Sequence, residues 1–444
     1  MGRSAAKSEA LLRGAPLPAL LSFSAPIILG NIFQQLYNIV DAIVVGKFLG
    51  DLPLSGISIA SPIMDILYAL LLGGSIGVGV LVGQICGAED WQRLKRVLAT
   101  ALLGGCGVTL LLSGLAFAFA ERVLTAQGSQ PETVAQAMDY LTIILAGLVF
   151  CYLNNYYATV LRSWGNSRTP FFVLLASSTL HALLDVLLCG VLHLGIRGVA
   201  CSTVFCQIFS TVWMAVYTVR RCPQLRLDRS ELRFDRRLAG LILSYAWAAA
   251  LQQAVVMLGR FLVQGMLTPL GAANVTGYNM SMRVEQLLFC FSQGISAAMV
   301  VGISMNLGHG DRQRVKSFYY TGIRVELVLF AVLGVLARLF AAEAIGVFSD
   351  NASVIAAGVR YTGTMAFIYV FAFLGEVIQS FFRAIGRLRL TMLASLLQVL
   401  LRVLLSYLLI PLWGVYGICA AVSAGWVLLV FIEGAYSLRT ARSL

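Results

Sequence analysis

Charged residues and histidine are scarce in this sequence. Asp, Glu, Lys and Arg together make up 12% of its 444 residues, and only 3 residues are His. Soluble domains carry about 25% charged residues. Hydrophobic residues reach 59% here, and the mean hydropathy is +0.85. The composition therefore excludes a soluble globular protein and indicates an integral membrane protein.

Sequence signatures of several other protein classes are also absent. The chain has no His-Glu-x-x-His zinc motif and no Gly-x-x-x-x-Gly-Lys-Ser/Thr phosphate loop, so a membrane metalloprotease or an ATP-driven pump has no support. The N-terminal residues lack the pattern of a cleavable secretory signal, and we expect the first helix to stay attached. The 9 cysteines show no paired metal-ligand spacing and are expected to be free packing residues.

Long apolar runs predict an all-α membrane protein with twelve transmembrane helices. A helix of about 20 apolar residues crosses the hydrocarbon core and satisfies its own backbone hydrogen bonds. The predicted spans have the approximate bounds 17–46, 53–86, 94–120, 132–160, 169–192, 195–219, 238–267, 273–307, 315–341, 352–382, 388–411 and 414–437.

The distribution of positive charge indicates the orientation in the membrane. Of the 32 Lys and Arg, 23 lie in the N-terminal tail and in every second segment outside the spans, 4 lie in the alternate segments and 5 lie within spans. Lys and Arg accumulate on the cytoplasmic side of membrane proteins. We therefore expect both termini and segment 220–237 to be cytoplasmic. The net charge of +12 then needs no nucleic-acid partner.

An internal repeat divides the chain into two halves. "GAEDWQRLKR" (Gly87 to Arg96) matches "GHGDRQRVKS" (Gly308 to Ser317) at a shift of 221 residues, and "LRSWGNSR" matches "FRAIGRLR" at the same shift. The repeat predicts two six-helix bundles related by a pseudo-twofold axis along the membrane normal, because six is an even number. The predicted domains are a cytoplasmic N-terminal tail (1–16), an N-lobe (17–219), a cytoplasmic linker (220–237) and a C-lobe (238–444).

These motifs resemble those of a known transporter family. The two six-helix halves, "GAEDWQRLKR" after the second helix, "LRSWGNSRTP" after the fourth and "SAPIILGNIFQQLYNIVDAIVVGKFLG" in the first look like prokaryotic multidrug and toxic compound extrusion (MATE) proteins. Asp41 together with Asp185 is similar to the DinF-like branch of that family. The resemblance implies export of amphipathic compounds, coupled to an inward flow of H⁺ or Na⁺.

The first predicted helix carries a polar stripe around Asp41. Gln34, Asn38 and Asp41 follow one another at intervals of four and three residues, so they share one helix face, with Tyr37 beside them. A carboxylate at the bilayer centre costs about 2.5–3.5 kcal/mol on insertion scales. We therefore expect Asp41 to face a cavity or a partner inside the protein.

A second polar stripe lies in the fifth predicted helix and includes Ser178, His181 and Asp185. Asp41 and Asp185 each precede a glycine by five residues, which places them at similar depth. If the two carboxylates converge, repulsion and desolvation favour binding of a proton, and a bound cation would also satisfy both. The alternative is that each Asp only hydrogen-bonds neighbouring helices as structural support.

The family resemblance implies an ion-coupling site at Asp41, Asp185 and Thr203. The family often has Asn four residues before the second Asp, and this chain has His181 there instead. Na⁺ prefers oxygen ligands, so the imidazole of His181 favours H⁺ as the coupling ion. Na⁺ bound by Asp41, Asp185 and Thr203 is the alternative. Pro26, in the same helix as Asp41, removes a helix hydrogen bond and provides a site where that helix can bend.

The second half lacks this acidic pair, because His181 and Asp185 correspond there to Arg402 and Ser406. Ion pairs between its buried Arg residues and Glu285 or Glu376 are the favoured interpretation, and a substrate contact is the alternative. Three further acids near predicted span ends, Asp139, Glu326 and Glu433, are expected to reach the membrane interface. The candidates for a substrate cavity are Gln34, Tyr37, Asn38, Asn154, Asn155, Glu285 and Glu376.

The sequence thus predicts a monomeric, cation-coupled antiporter of the cytoplasmic (inner) membrane that exports amphipathic organic compounds by alternating access. It needs no cofactor beyond the coupling ion, H⁺ or Na⁺. A lipid-linked saccharide flippase of the same superfamily is the alternative, and a membrane-embedded enzyme has less support.

Overall fold

A computed structural model describes residues 5–126 and 130–443, with the side chains of residues 5–8, 39–45 and 51 outside the description. Within those ranges the chain forms α helices joined by short turns and contains no β-strand. The helices are α1 (Ala5–Arg13), α2 (Pro16–Leu49), α3 (Asp51–Gly87), α4 (Trp91–Ala126), α5 (Pro131–Ser163), α6 (Arg168–Asp185), α7 (Gly195–Arg221), α8 (Arg236–Gly265), α9 (Ala272–His309), α10 (Arg312–Leu339), α11 (Ala341–Gly346), α12 (Ala352–Ala384), α13 (Leu388–Trp413) and α14 (Val415–Ser443).

The helices confirm the predicted fold class of an all-α membrane protein with twelve transmembrane helices in two bundles. In the described part of the chain, eleven helices are long and apolar enough to cross a membrane. The twelfth, α10, matches the ninth predicted span and has 28 residues. Its apolar run is interrupted by Arg324, Glu326 and Arg338. The short helices α1 and α11 were not predicted.

The helices pack into two compact units. The first is built on Leu29–Ala250 and the second on Glu9–Ile28 and Leu251–Leu444. The divisions fall inside α2 and α8, each of which contributes residues to both units. The predicted domains followed the internal repeat, whereas these units follow packing, so the linker 220–237 and the first half of α8 belong with the first unit.

Close helix packing in the first unit depends on small residues. A Cβ atom added at Gly73 of α3 would lie 2.3 Å from the backbone N of Ala250 in α8, and one added at Gly77 would lie 2.8 Å from the backbone N of Ala246. Small residues let helix backbones approach where lipid supplies no hydrophobic driving force between them. The contact joins the start of α8 to α3 within the first unit.

The second unit includes residues 9–13, the C-terminal part of α1, which were predicted to belong to the N-terminal tail. The Arg314 guanidinium donates to the carbonyl O of Leu11 at 3.1 and 3.3 Å and to the carbonyl O of Gly14. The Asn306 amide donates to the same Leu11 carbonyl at 3.1 Å. The carbonyls in the last turn of a helix have no hydrogen-bond donor within the helix. Here Asn306 of α9 and Arg314 of α10 are the donors.

The linker is ordered by local polar contacts. Asp228 and Glu231 form a capping box around the turn Arg229–Glu231, and Glu231 accepts from Lys95 Nζ of α4 at 2.7 Å. The backbone N–H of Asp228 and the Lys95 ammonium both lower the pKa of Glu231. The nine cysteines are free, and seven of them are buried, as expected from their positions in apolar runs.

Candidate functional site

The candidate site lies in the first unit, where α6 ends. Asp185 is the last residue of α6, and the chain continues as a π-helical turn, Val186–Val191. Such wide turns occur frequently at functional sites. His181, one turn before Asp185, is 4% exposed and Asp185 is 1% exposed. Both ionisable side chains are therefore enclosed by protein rather than by lipid or water.

Hydroxyl groups of α7 contact both members of this pair. Ser202 Oγ makes a short hydrogen bond to Asp185 Oδ1 and also lies 2.8 Å from the Val199 carbonyl. Thr203 Oγ1 lies 3.0 Å from His181 Nε2 and 2.9 Å from the same Val199 carbonyl. The Thr203 hydroxyl can accept from Nε2–H while it donates to that carbonyl, or it can donate to Nε2 in the other tautomer of the ring.

The other ring nitrogen of His181 faces the carboxylate. Nδ1 lies 2.7 Å from Asp185 Oδ2, a distance typical of an ion pair, although the angles are not those of a hydrogen bond. If Nδ1 carried no proton and Asp185 were ionised, two lone pairs would face each other at this distance. The contact is attractive when a proton lies between these two atoms, either on Nδ1 or on the carboxyl group.

Tyr37 of α2 completes the site. Its hydroxyl lies 2.8 Å from His181 Nδ1, and its ring meets the imidazole edge to face with centroids 5.1 Å apart. The phenol O–H can donate to Nδ1 when the ring has lost its proton there. Nδ1 thus has two alternative neighbours, the Asp185 carboxylate and the Tyr37 hydroxyl, and the proton on the ring decides between them.

The structure brings together only part of the predicted site. His181, Asp185 and Thr203 lie together as expected, and Tyr37 contacts the histidine. The side chain of Asp41 lies outside the described residues, so its contact with Asp185 remains a prediction. Ser202 is the residue that the sequence analysis missed. Only its position next to Thr203 in α7 could have pointed to it.

The hydrogen bonds of the amide candidates lead to partners outside this site. Gln34 donates to Asn38 at 3.1 Å, and Asn154 donates to Gln207 at 2.8 Å. Asn155 donates to the carbonyl O of Cys151 in its own helix at 2.9 Å. None of these contacts assigns them to a substrate cavity, which remains a prediction.

The acids of the second unit differ from expectation in two cases. Glu326 and Glu433 are both 0% exposed, so the expectation that they reach the interface is wrong. Their helices, α10 and α14, both pack against α12. The exposure of a side chain depends on this packing and not on its position along the span alone. Asp139 does lie at the surface and pairs with Arg197 at 2.9 Å.

The two cavity candidates of the second unit have ionic neighbours. Glu376 pairs loosely at 4.0 Å with Arg383, which lies about two turns further along the same face of α12. Glu285 accepts from the Tyr369 hydroxyl at 3.4 Å, and the charges of Arg260 and Arg402 act on it. These contacts favour the structural interpretation of both glutamates.

One sequence in α3 matches a hydrolase motif, Gly-x-Ser-x-Gly, at Gly73 to Gly77. Its Ser75 lies within the helix, is 4% exposed and donates to the carbonyl O of Leu71 at 3.0 Å. The nucleophile of such a motif requires a strand-to-helix turn that exposes it. The helical position therefore gives no support to an enzyme.

Long membrane-spanning helices, together with a buried ionisable site built from side chains of α2, α6 and α7, are typical of a polytopic membrane transporter. The MatE family model matches residues 26–187 and 248–408, one segment in each half of the chain. The chain belongs to this family, as its resemblance to MATE proteins predicted. Assignment to the DinF-like branch stays a prediction.

Curated relatives and solved structures agree with this assignment. The probable multidrug resistance protein YoeA of Bacillus subtilis is 26% identical over 73% of this chain and 72% of its own length. The multidrug export protein MepA of Staphylococcus saprophyticus is 24% identical over 76% and 74%. The names of these relatives, a multidrug resistance protein and a multidrug export protein, accord with the predicted class of protein, a transporter.

A crystal structure of a MATE protein in complex with MaL6 superposes on the whole chain. The TM-score is 0.93, with 100% of this chain and 99% of the other covered, at 19% identity. At such low identity the superposition establishes the fold alone.

Proposed function

We propose that this protein is a proton-coupled antiporter that exports amphipathic organic compounds by alternating access. The observation that carries the proposal is the 2.7 Å contact between His181 Nδ1 and Asp185 Oδ2, which brings a base and an acid that can exchange a proton together in a buried place. The proton site lies in a buried position where its charge state affects packing strongly. The names of the relatives, multidrug resistance and multidrug export proteins, support the substrate class.

Loss of the proton changes the contacts of this site. Without it, Nδ1 and Oδ2 repel each other, and the Tyr37 hydroxyl at 2.8 Å becomes the donor to Nδ1. The Asp185 carboxylate then keeps Ser202 as its donor and gains an uncompensated negative charge in a buried place. Proton binding from outside and release to the inside would thus alternate two arrangements of α2, α6 and α7. In this mechanism Asp41 is the second carboxylate.

The same geometry favours H⁺ over Na⁺. A sodium ion requires several oxygen ligands, and in the described part of the site these include the hydroxyls of Ser202 and Thr203. Thr203 is bonded to His181 and Val199, and both carboxylate oxygens of Asp185 already contact Ser202 or His181. Na⁺ would have to displace these contacts and would lie beside an imidazole, which offers it no oxygen ligand.

The experiment compares gradients across liposomes that contain the purified protein. Efflux of a cationic amphipathic dye is measured with a proton gradient alone and with a sodium gradient alone. We expect transport with the proton gradient and its loss in Asp185→Asn, since Asn keeps the shape but cannot hold the charge. Asp139→Asn, which breaks an exposed ion pair, is the matched control. Transport driven only by sodium, or wild-type rates in Asp185→Asn, would overturn the proposal.

We further propose that both termini and the linker are cytoplasmic, because 23 of the 32 Lys and Arg lie on that side of the predicted topology. The protein would then reside in the cytoplasmic membrane with its substrate entering from the cell interior. A monomer is sufficient for the site, since His181, Asp185, Ser202 and Tyr37 all come from one chain.

A further inference from the structure

Two buried carboxyl groups of the second unit lack the donors that an ionised carboxylate needs. Glu433 of α14 is 0% exposed, and neither of its carboxyl oxygens has a hydrogen-bond partner among the described residues. Glu326 of α10 is also 0% exposed, and only its Oε1 has a partner, the Ser292 hydroxyl of α9 at 3.0 Å. An ionised carboxylate offers about four acceptor sites. Seven of the eight sites on these two groups are therefore unused if both are charged.

The charges around them do not compensate for this. Glu376 of α12 is a charged neighbour of both groups, and a carboxylate offers neither of them a hydrogen-bond donor. Arg383 of α12 is the cation that acts on Glu433, but its guanidinium lies 4.0 Å from Glu376 and donates to Gln379 Oε1 at 2.8 Å. The remaining titratable neighbour, Tyr319 of α10, donates to Ser437 at 2.8 Å.

We propose that Glu326 and Glu433 form a proton-binding site in the second unit that is filled in this conformation and is separate from the His181–Asp185 pair. Burial without donors makes the charged form unfavourable, so each group holds a proton as a neutral carboxylic acid. The inference follows from burial and hydrogen bonding of these side chains, which lie on different helices packed against α12.

Arg383 gives this site a means to release one proton. Its contact with Glu376 is loose, and its charge also interacts with the Glu433 carboxyl group. When water reaches Glu433 and accepts its proton, the guanidinium can turn from Glu376 to the new carboxylate and pair with it. Reprotonation returns Arg383 to Glu376. The proton on Glu433 thus decides which glutamate of α12 or α14 the arginine binds.

Binding of these protons is independent of the proposed antiport, but a role for them in transport rests on that proposed function. The site would add a second titrating group to the cycle and make efflux depend on pH in a way that the first unit alone does not explain. The two parts are tested separately below.

The first experiment measures protonation without transport. Infrared difference spectra of the protein in lipid discs are recorded at neutral pH, where a protonated carboxylic acid shows its C=O stretching band. Glu326→Gln and Glu433→Gln keep the shape of the neutral acid and should each remove part of this band. Glu343→Gln, at an exposed position of α11, is the control and should remove none. A band unchanged in both buried variants overturns the proposal.

A second measurement uses the unaltered protein and so does not depend on variant folding. Dicyclohexylcarbodiimide reacts with protonated carboxyl groups in apolar surroundings, and peptide mass spectrometry locates the product. We expect modification at Glu326 or Glu433 at neutral pH, decreasing at alkaline pH. Modification of neither residue, together with an unchanged infrared band, means that both are ionised.

The transport arm uses the same liposomes as above. Glu433→Gln should retain proton-driven efflux but lose pH dependence that the wild type shows, since Gln mimics the permanently protonated form. If wild-type protein fails to respond to a proton gradient while the infrared band still disappears in the variants, the antiport proposal fails and the proton site stands. An unaltered pH profile in Glu433→Gln removes its role in transport.

Discussion

At the scale of single residues, position 181 determines which chemistry the first unit can perform. An amide at this place cannot bind and release a proton, whereas an imidazole can do so at its ring nitrogens. The Nδ1 of His181 meets both Asp185 and Tyr37, so the ring relays the charge state of the carboxylate to α2. The hydroxyls of α7 hold the ring and the carboxylate in place for this exchange.

Replacement of His181 by Asn tests that relay. We expect His181→Asn to fold, because Asn can still contact Thr203 or Asp185, but to lower proton-driven dye efflux by about tenfold or more, which corresponds to about 1.4 kcal/mol of barrier. The rate in liposomes is measured against internal pH. Thr179→Ala, an exposed α6 hydroxyl bonded only to its own helix, is the control. Proton-driven efflux at the wild-type rate in His181→Asn would place the relay elsewhere.

At the scale of helices, two observations concern where the chain is held and where it can bend. Helix α1 is fixed to the second unit through its last carbonyls, and α2 contains Pro26 close to the point where its residues pass from one unit to the other. A proline inside a helix removes one backbone hydrogen bond and allows a kink. Helix α1 is therefore anchored at its C-terminal end, and α2 has a weakened backbone at Pro26.

The anchoring of α1 depends on Arg314. We expect Arg314→Ala to release residues 9–14 and to lower stability by about 1.5–3 kcal/mol, as is typical for hydrogen bonds from a charged group. Hydrogen exchange of peptide amides in residues 5–14 should increase, and the thermal midpoint in detergent should fall. Arg312→Ala, an exposed neighbour in α10, should change neither measurement. Unchanged exchange in Arg314→Ala would mean that packing alone holds α1.

Pro26→Ala examines bending of α2. Alanine restores the missing backbone N–H and favours a straight helix. We expect slower dye efflux without a change in the pH dependence of proton binding. Pro26 lies about three helical turns before Tyr37, the residue of α2 that contacts His181. Pro62→Ala, a proline within α3 of the first unit, serves as the control. Normal transport by Pro26→Ala would show that the proline only serves packing.

The linker provides a pH-dependent contact outside the membrane. The pKa of Glu231 is lowered in the folded protein by the Asp228 amide and Lys95, so its contribution is present above the unfolded pKa and is lost as pH falls through the folded value. We expect protease cleavage in residues 220–237 to increase below that pH. In Glu231→Gln, cleavage should be high at all pH values. Equal cleavage of both proteins at neutral pH would contradict this account.

At the scale of the whole molecule, hydropathy and the internal repeat were sufficient to predict the twelve long helices, but not the short helices α1 and α11 or the packing partners of each helix. Twelve spans follow from apolar length, and even α10 was recognised despite its charges. The burial of Glu326 and Glu433 was mispredicted, because helix position gives depth whereas exposure depends on which helices pack there. The anchoring of α1 joins residues that lie about three hundred positions apart in sequence, and no local pattern encodes such a contact.

The candidate site, too, could be predicted only in part from the sequence. The spacing of His181 and Asp185 on one helix was readable, since residues four apart share a face. The contact of Tyr37 with His181 required the packing of α2 on α6, and the role of Ser202 rather than Thr203 as the carboxylate's donor required the rotation of α7. Rotation about a helix axis is set by tertiary packing and is weakly encoded where both faces are apolar.

The orientation of the molecule in the membrane is the last prediction. Because most Lys and Arg lie in the tail, the linker and alternate segments, we expect these parts to face the cytoplasm. A cysteine introduced as Arg229→Cys in the linker, in a protein whose Cys106 and Cys201 are replaced by Ser, should resist an impermeant maleimide in intact cells and react after lysis. Asp350→Cys, at an exposed position on the predicted opposite side, should react in intact cells. The reversed labelling pattern would invert the orientation and, with it, the direction in which the His181–Asp185 pair releases its proton.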